Sequence, residues 1–172
     1  HSLIIGVTTL TAFSLSSCGD KQEPKADESA DTPKKEQHQA IITEKLEPYE
    51  CGTITRLHTL DGIFLASQPK PEDFAQAKKG GVKTVINLRH ADEIKDFNEQ
   101  EVVEGLGLKY LLLAWNGPEE LTDEIFDKAR ESLKTAEKPI LLHCGSANRV
   151  GAVWLPFRVL DGGAELEEAV AE

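Results

Sequence analysis

From about Glu47 onward, apolar positions fall into blocks of two alternating kinds, short continuous runs and longer stretches with every third or fourth position apolar. Thr53-Ile54-Thr55-Arg56-Leu57-His58 and Ile63-Phe64-Leu65-Ala66 read as strands, with the turn dipeptide Asp61-Gly62 between them marking a hairpin. Ser67-Gln68-Pro69 leaves the hairpin, and Pro71 with Glu72 and Asp73 opens a short helix, since proline and acidic residues both suit a first turn. Gly80-Gly81 closes that helix, and Val82 to Leu88 is a buried-type strand. A second helix is expected from about Asp92 to Glu104, ended by Gly105 and Gly107, and Leu108 to Ala114 is the next strand. Beyond the turn Asn116-Gly117-Pro118, Leu121, Ile125, Ala129 and Leu133 recur every fourth residue and predict a long helix over Leu121–Ala136. Lys138-Pro139 breaks it, Ile140-Leu141-Leu142 is a strand, and a last helix after Arg149 carries Pro156, which is expected to kink it. Strands alternating with helices of this length predict an α/β fold: a mostly parallel sheet, helices on both faces, and an N-terminal hairpin. Ligands of such sheets bind at the carboxyl ends of the strands.

The stretch before Glu47 follows neither period. Leu3 to Leu15 is apolar and uncharged, too short to span a bilayer and suited to the h-region of a signal peptide. Leu15-Ser16-Ser17-Cys18 directly after it resembles the lipobox of bacterial lipoproteins. The resemblance implies cleavage before Cys18 and a lipid on that cysteine; an ordinary secretory signal is the alternative. Gly19, where an aspartate would favour inner-membrane retention, leaves the choice of membrane open. From Gly19 to about Ala40, Lys, Glu, Asp, Gln, Ser, Pro24 and Pro33 leave almost nothing to bury, as in a solvated tether. The expected organisation is therefore a signal peptide over 1–17, a lipidated cysteine and linker over 18–46, and a domain over 47–172 held at the bacterial cell envelope outside the cytoplasm. His1 at the start and an amphipathic stretch running into Glu172 lead one to expect further residues at both ends.

Composition narrows the partners. A net charge of -11 over 172 residues, with no basic stretch to offset it, argues against nucleic acid and polyanions. It leaves room for a small anion in a locally positive loop. Membrane contact is expected through the N-terminal lipid alone. The histidines and cysteines show no ligand spacing, so no metal or cofactor is expected.

The chemistry concentrates in Leu141-Leu142-His143-Cys144-Gly145-Ser146-Ala147-Asn148-Arg149-Val150-Gly151. A cysteine between a strand and a helix N-terminus has its thiolate favoured by the helix dipole and by loop N–H groups. Arg149 adds a fixed planar cation suited to an oxyanion. Cys144 is the candidate nucleophile, Gly145, Ser146, Ala147 and Asn148 the anion-binding loop, and Arg149 the clamp. His143 either orders the loop from behind or is a core histidine, and Asn148 is suited to a left-handed conformation. Arg89 and Glu93 read first as a surface ion pair near the crevice. Cys51, outside the cytoplasm, is a possible disulfide partner for Cys144.

Ser67-Gln68-Pro69, the helix to Gly80-Gly81, Val85-Ile86-Asn87-Leu88-Arg89, and His143-Cys144 with Arg149 together resemble the cysteine-based phosphatase superfamily. Within it they are most similar to the bacterial dual-specificity-like branch that includes the phosphatase-like domain of beta-lactamase hydrolase-like proteins. The resemblance covers roughly Gly52 to Glu172 and implies a three-layer phosphatase-like fold and a small anionic or phosphorylated substrate. It implies that the cysteine attacks phosphorus, the loop amides and the arginine hold the oxygens, and an aspartate protonates the leaving group. Three departures stand out. Four residues separate Cys144 from Arg149 where the family has five; Val150 replaces the usual Ser or Thr; and no aspartate lies in the loop directly after the Leu108–Ala114 strand, leaving Glu119, Glu120 and, a little beyond, Asp123 as candidate acids. The four-residue loop is similar to that of single-domain rhodaneses, which implies a persulfide on Cys144 as the alternative chemistry. A non-catalytic anion-binding module is the third.

Overall fold

The computed structural model describes residues 43–172, so the candidate signal peptide, the lipidation site Cys18 and most of the candidate linker lie outside the described residues. Six strands form one sheet: β1 (Glu47–Pro48), β2 (Leu57–Leu60), β3 (Ile63–Ala66), β4 (Thr84–Asn87), β5 (Lys109–Leu112) and β6 (Ile140–His143). Their spatial order is β1-β2-β3-β6-β4-β5. The β1–β2 and β2–β3 pairs are antiparallel, and β3–β6, β6–β4 and β4–β5 are parallel. The sheet is thus a hairpin extended on one side by one short strand and on the other by three strands parallel to β3, as the alternating blocks predict.

Period two along the strands sorts side chains between two cores. Ile63, Leu65, Ile86, Ile140 and Leu142 face Ala129 and Leu133 of α3 (Asp123–Thr135) and Val150, Val153 and Trp154 of α4 (Asn148–Leu160). Phe64, Ala66, Val85 and Leu141 face Phe74 and Ala77 of α1 (Pro71–Lys79) and Val103 of α2 (Glu99–Gly105). A last helix, α5 (Leu166–Ala171), packs on α4. This is a three-layer arrangement with the parallel strands in the middle. The helix α4 continues from Asn148 to Leu160 through Pro156.

Element boundaries differ from the sequence expectation where side chains bind backbone. Thr53 to Thr55 is not strand: the buried Asp73 carboxylate takes the Thr53 N–H at 2.7 Å and its hydroxyl at 3.0 Å, and this holds the segment in a turn. The same carboxylate accepts the Lys70 N–H at 2.9 Å, so one side chain both caps α1 and ties down the chain before β2. The stretch Asp92–Glu104 is two pieces. A 3-10 turn over Ala91–Glu93 ends at Ile94 in extended conformation, and Asn98 restarts the helix by accepting the Glu101 N–H at 3.3 Å. The outer strand β5 is the edge of the sheet and leaves Leu111 and Leu112 partly exposed.

Gly52 lies at φ +57°, where a Cβ would stand 2.0 Å from Asp73 Oδ1. Gly52→Ala should therefore destabilise the domain by about 2–3 kcal/mol in urea unfolding, combining left-handed strain with a clash against a buried carboxylate. A cost below about 0.5 kcal/mol would show that Asp73 does not hold this turn.

Candidate active site

β6 is flanked by β3 and β4, and its alternation sets the site. Leu141 and His143 point to the α1–α2 face; Ile140, Leu142 and Cys144 point to the α3–α4 face. Cys144 is 1% exposed and packs with Val150, Val153 and Trp154. Its N–H donates to Ala66 O at 3.4 Å. The loop that follows is held by its oxygens: Gln68 N–H donates to Gly145 O at 3.1 Å, and Arg56 Nη1 donates to Ser146 O at 2.9 Å and Asn148 Oδ1 at 3.5 Å. Among the described residues, the N–H groups of Gly145 through Val150 have no protein acceptor. A run of free N–H donors at the start of a 13-residue helix is an anion cradle. Ala147, not Asn148, takes the left-handed conformation at φ +71°, because Asn148 is already the first residue of α4.

Arg149, in the first turn of α4, reaches back across the sheet. Nη1 donates to Leu88 O at 3.1 Å, Trp115 O at 2.8 Å and Glu93 Oε1 at 2.8 Å, and Nη2 donates to Glu93 Oε2 at 2.6 Å. The fork-to-fork pair holds Glu93 well below the ordinary carboxylate value of 4.5, at about 2, against the opposing effect of burial and with help from the His90 N–H and Arg89. Arg149 is raised in turn, first by Glu93 and further by the nearby Cys144 sulfur. Arg89 and Glu93 are thus not a surface pair. Arg89 Nε stands 3.6 Å from Glu93 Oε2, Arg89 Nη2 donates to Glu93 O at 2.6 Å, and Glu93 is shared with Arg149 at the crevice.

Behind the loop lies a buried polar network that the sequence did not disclose. His143 Nε2 is 2.9 Å from Glu99 Oε1 in a fully enclosed pair, and the other Glu99 oxygen accepts from Gln68 Nε2 at 2.7 Å. Tyr110 donates to Glu99 at 3.4 Å and accepts from Asn87 Nδ2 at 2.9 Å; burial pushes the Tyr110 hydroxyl up to about 12, so it remains a donor. Gln68 Oε1 takes Arg89 Nη1 at 2.6 Å, which joins this network to Glu93 and Arg149. His143 thus lies behind the loop, bonded to Glu99, whose other oxygen holds the Gln68 side chain. Gln68 carried a signal, since it lies in the Ser67-Gln68-Pro69 segment; Glu99 and Tyr110, one at a helix start and one on an edge strand, carried none.

The other candidates are placed as follows. Glu120 accepts the Asn116 N–H at 2.8 Å and sits 2.6 Å from His90 Nε2, both of which lower its pKa. Glu119 folds back toward Gly117, and Asp123 is the first residue of α3; neither bonds Cys144 or Arg149. Val150 is buried in the core and offers no hydroxyl. Cys51 and Cys144 are both free thiols, and a disulfide between them is ruled out by the sheet. Cys51 packs against the α1 face beside an apolar cavity of about 260 Å³, whereas Cys144 belongs to the opposite core.

Residues 56–158 match the family model described as beta-lactamase hydrolase-like protein, phosphatase-like domain. The chain belongs to that family. Among curated proteins, none matches the chain in sequence. Solved structures similar in fold to this phosphatase-like domain include TpbA of P. aeruginosa, with a TM-score of 0.61 at 21% identity over 74% of this chain and 76% of that one. A cysteine-to-serine variant of TpbA in complex with phosphotyrosine gives 0.60 at 20% identity, over 73% and 75%. Kinase-associated phosphatase, with its catalytic-site cysteine replaced by serine, gives 0.57 at 15% identity, over 63% and 71%.

Because Glu93 has a lowered folded-state value, its stabilising contribution is complete above about pH 4.5 and is lost as pH falls toward 2. Urea unfolding of the wild type should weaken across that window, and Glu93→Gln should be less stable at pH 7 with a flatter dependence below pH 4.5. Parallel profiles for the two proteins would remove Glu93 as the group that holds Arg149.

Proposed function

We propose that this phosphatase-like domain hydrolyses phosphomonoesters through a Cys144 thiolate, with Arg149 and the loop amides as the oxyanion clamp. The observation that carries this reading is the set of unpartnered N–H groups from Gly145 to Val150 around a buried cysteine that also borders a guanidinium. The sulfur attacks phosphorus, the S–P bond forms as the P–O bond to the leaving group breaks, and water then attacks the phosphocysteine and restores the thiolate. The amides and Arg149 meet the charge that builds on the three equatorial oxygens. Arg149 Nε and one Nη2 hydrogen have no oxygen acceptor among the described residues and the guanidinium lies beside the Cys144 sulfur, so an oxyanion can bind there while Glu93 keeps its place. The phosphotyrosine bound by the TpbA variant supports a small phosphorylated substrate.

A second reading follows from the loop length. Four residues between Cys144 and Arg149, with Val150 beyond, suit a persulfide-carrying sulfurtransferase, which needs no proton donor for a leaving alcohol. The lipobox-like Leu15-Ser16-Ser17-Cys18 supports a lipid-anchored, extracytoplasmic placement as part of the proposal.

Purified protein should hydrolyse 4-nitrophenyl phosphate; Cys144→Ser should abolish turnover, and Arg149→Lys should lower kcat/KM by roughly 10²-fold or more, as when one transition-state donor is removed. Full activity in Cys144→Ser would end the phosphatase reading. Transfer of sulfur from thiosulfate to cyanide, with a mass gain of one sulfur on Cys144, would replace it by the second. The full chain expressed in bacteria should incorporate radiolabelled palmitate, and Cys18→Ala should not; label retained in Cys18→Ala would exclude lipidation at that cysteine.

A further inference from the structure

A cysteine phosphatase must return a proton to the leaving oxygen, and the carboxylates at this mouth are poorly placed to give one. Glu93 is held at about 2 by Arg149, and Glu120 is kept ionised by His90 and the Asn116 N–H. His90 lies at the same mouth, between the Arg149–Glu93 pair and Glu120. Leu88 N–H donates to His143 O, which sets the exit of β4 beside the Cys144 loop, and a Cβ on Gly145 would lie 4.0 Å from Arg89 Nε. His90 follows directly, and its N–H donates at 2.9 Å to the same Glu93 oxygen that Arg149 Nη1 holds. Its ring is partly exposed at 39%, with Nε2 fixed 2.6 Å from Glu120 and no protein partner for Nδ1 among the described residues.

Building on the phosphatase reading, we propose that His90 is the general acid of this site, with its ring oriented by Glu120 from the loop between β5 and α3. The charged groups around it are Glu120 from that loop, Arg89 and Glu93 from its own segment, and Arg149 from α4. In the first step the S–P bond forms and the P–O bond breaks while the imidazolium Nδ1 proton passes to the leaving oxygen. In the second, neutral Nδ1 takes a proton from the water that attacks phosphorus, and the S–P bond breaks to regenerate thiolate and imidazolium. A histidine supported by a carboxylate on its other nitrogen is a recurrent proton-transfer unit, and imidazole changes charge near neutral pH. The arrangement accounts for a site in which no aspartate lies in the loop between β5 and α3.

The test compares kcat/KM for phenyl phosphate, whose phenoxide leaves poorly without a proton, with that for 2,4-dinitrophenyl phosphate, whose leaving group needs none. His90→Gln should lose about 10²-fold on the first ester, within the range of general-acid effects, and change the second only a few-fold. It should also lose the basic limb of the wild-type pH–rate profile, and Glu120→Gln should lower phenyl phosphate turnover selectively but less. Equal losses on both esters, or an intact basic limb in His90→Gln, would overturn the role of His90 while leaving the phosphatase reading standing. A wild type that turns over neither ester would overturn both.

Discussion

One carboxylate holds the catalytic end of this domain together. Glu93 takes both forks of Arg149, receives the His90 N–H, and lies against Arg89. These partners come from α4 and from the exit of β4, so the pair fixes the start of the cradle helix against the sheet. Breaking it would leave a guanidinium with only two carbonyl partners in a largely enclosed place, which costs far more than losing an exposed ion pair. The stretch after β4 is two pieces: Glu93 reaches back to the His90 N–H in a capping box, the chain becomes extended at Ile94, and Asn98 starts the next helix.

The fold was legible because it depends on patterns that are local. Apolar strand runs, the Asp61-Gly62 hairpin turn and the fourfold spacing in α3 all survive in the structure, and so does the placement of Cys144 and Arg149 at a strand-to-helix junction. What escaped was set by contacts distant in sequence. Thr53 is drawn into a turn by Asp73, twenty residues on, and Glu99 meets His143 across forty-four. Asn148 suits a left-handed position by its intrinsic tolerance, but α4 already begins at Asn148 and the strain falls on Ala147. Arg89 and Glu93 read as a surface pair because four-residue spacing says nothing of a third partner. The disulfide is excluded because Cys51, in the segment before β2, packs against the α1–α2 core, whereas Cys144 belongs to the α3–α4 core on the other face of the sheet.

The short loop has a physical counterpart in the structure. Ala147 occupies a region of backbone space that costs a residue with a Cβ roughly 1–2 kcal/mol, so closing the turn in four residues is done against local preference. The outward pull on the Gly145 and Ser146 carbonyls by Gln68 and Arg56 supplies the opposing force and leaves the amides unpaired. A strained turn held by its neighbours and lined with free donors is the state expected of a preorganised site, whichever of phosphorus or sulfur it handles.

The position of β6 has a consequence for motion. It lies between β3 and β4 with both faces covered, whereas β5 is an edge strand with leucines open to solvent. Opening β6 breaks ladders on both of its sides, whereas opening β5 breaks one. The loop that β5 feeds is fastened at its start, since Trp115 is buried and its carbonyl accepts from Arg149. Cys144 thus hangs from the interior of the sheet and Glu120 from its rim, and one guanidinium ties the two ends of the mouth together.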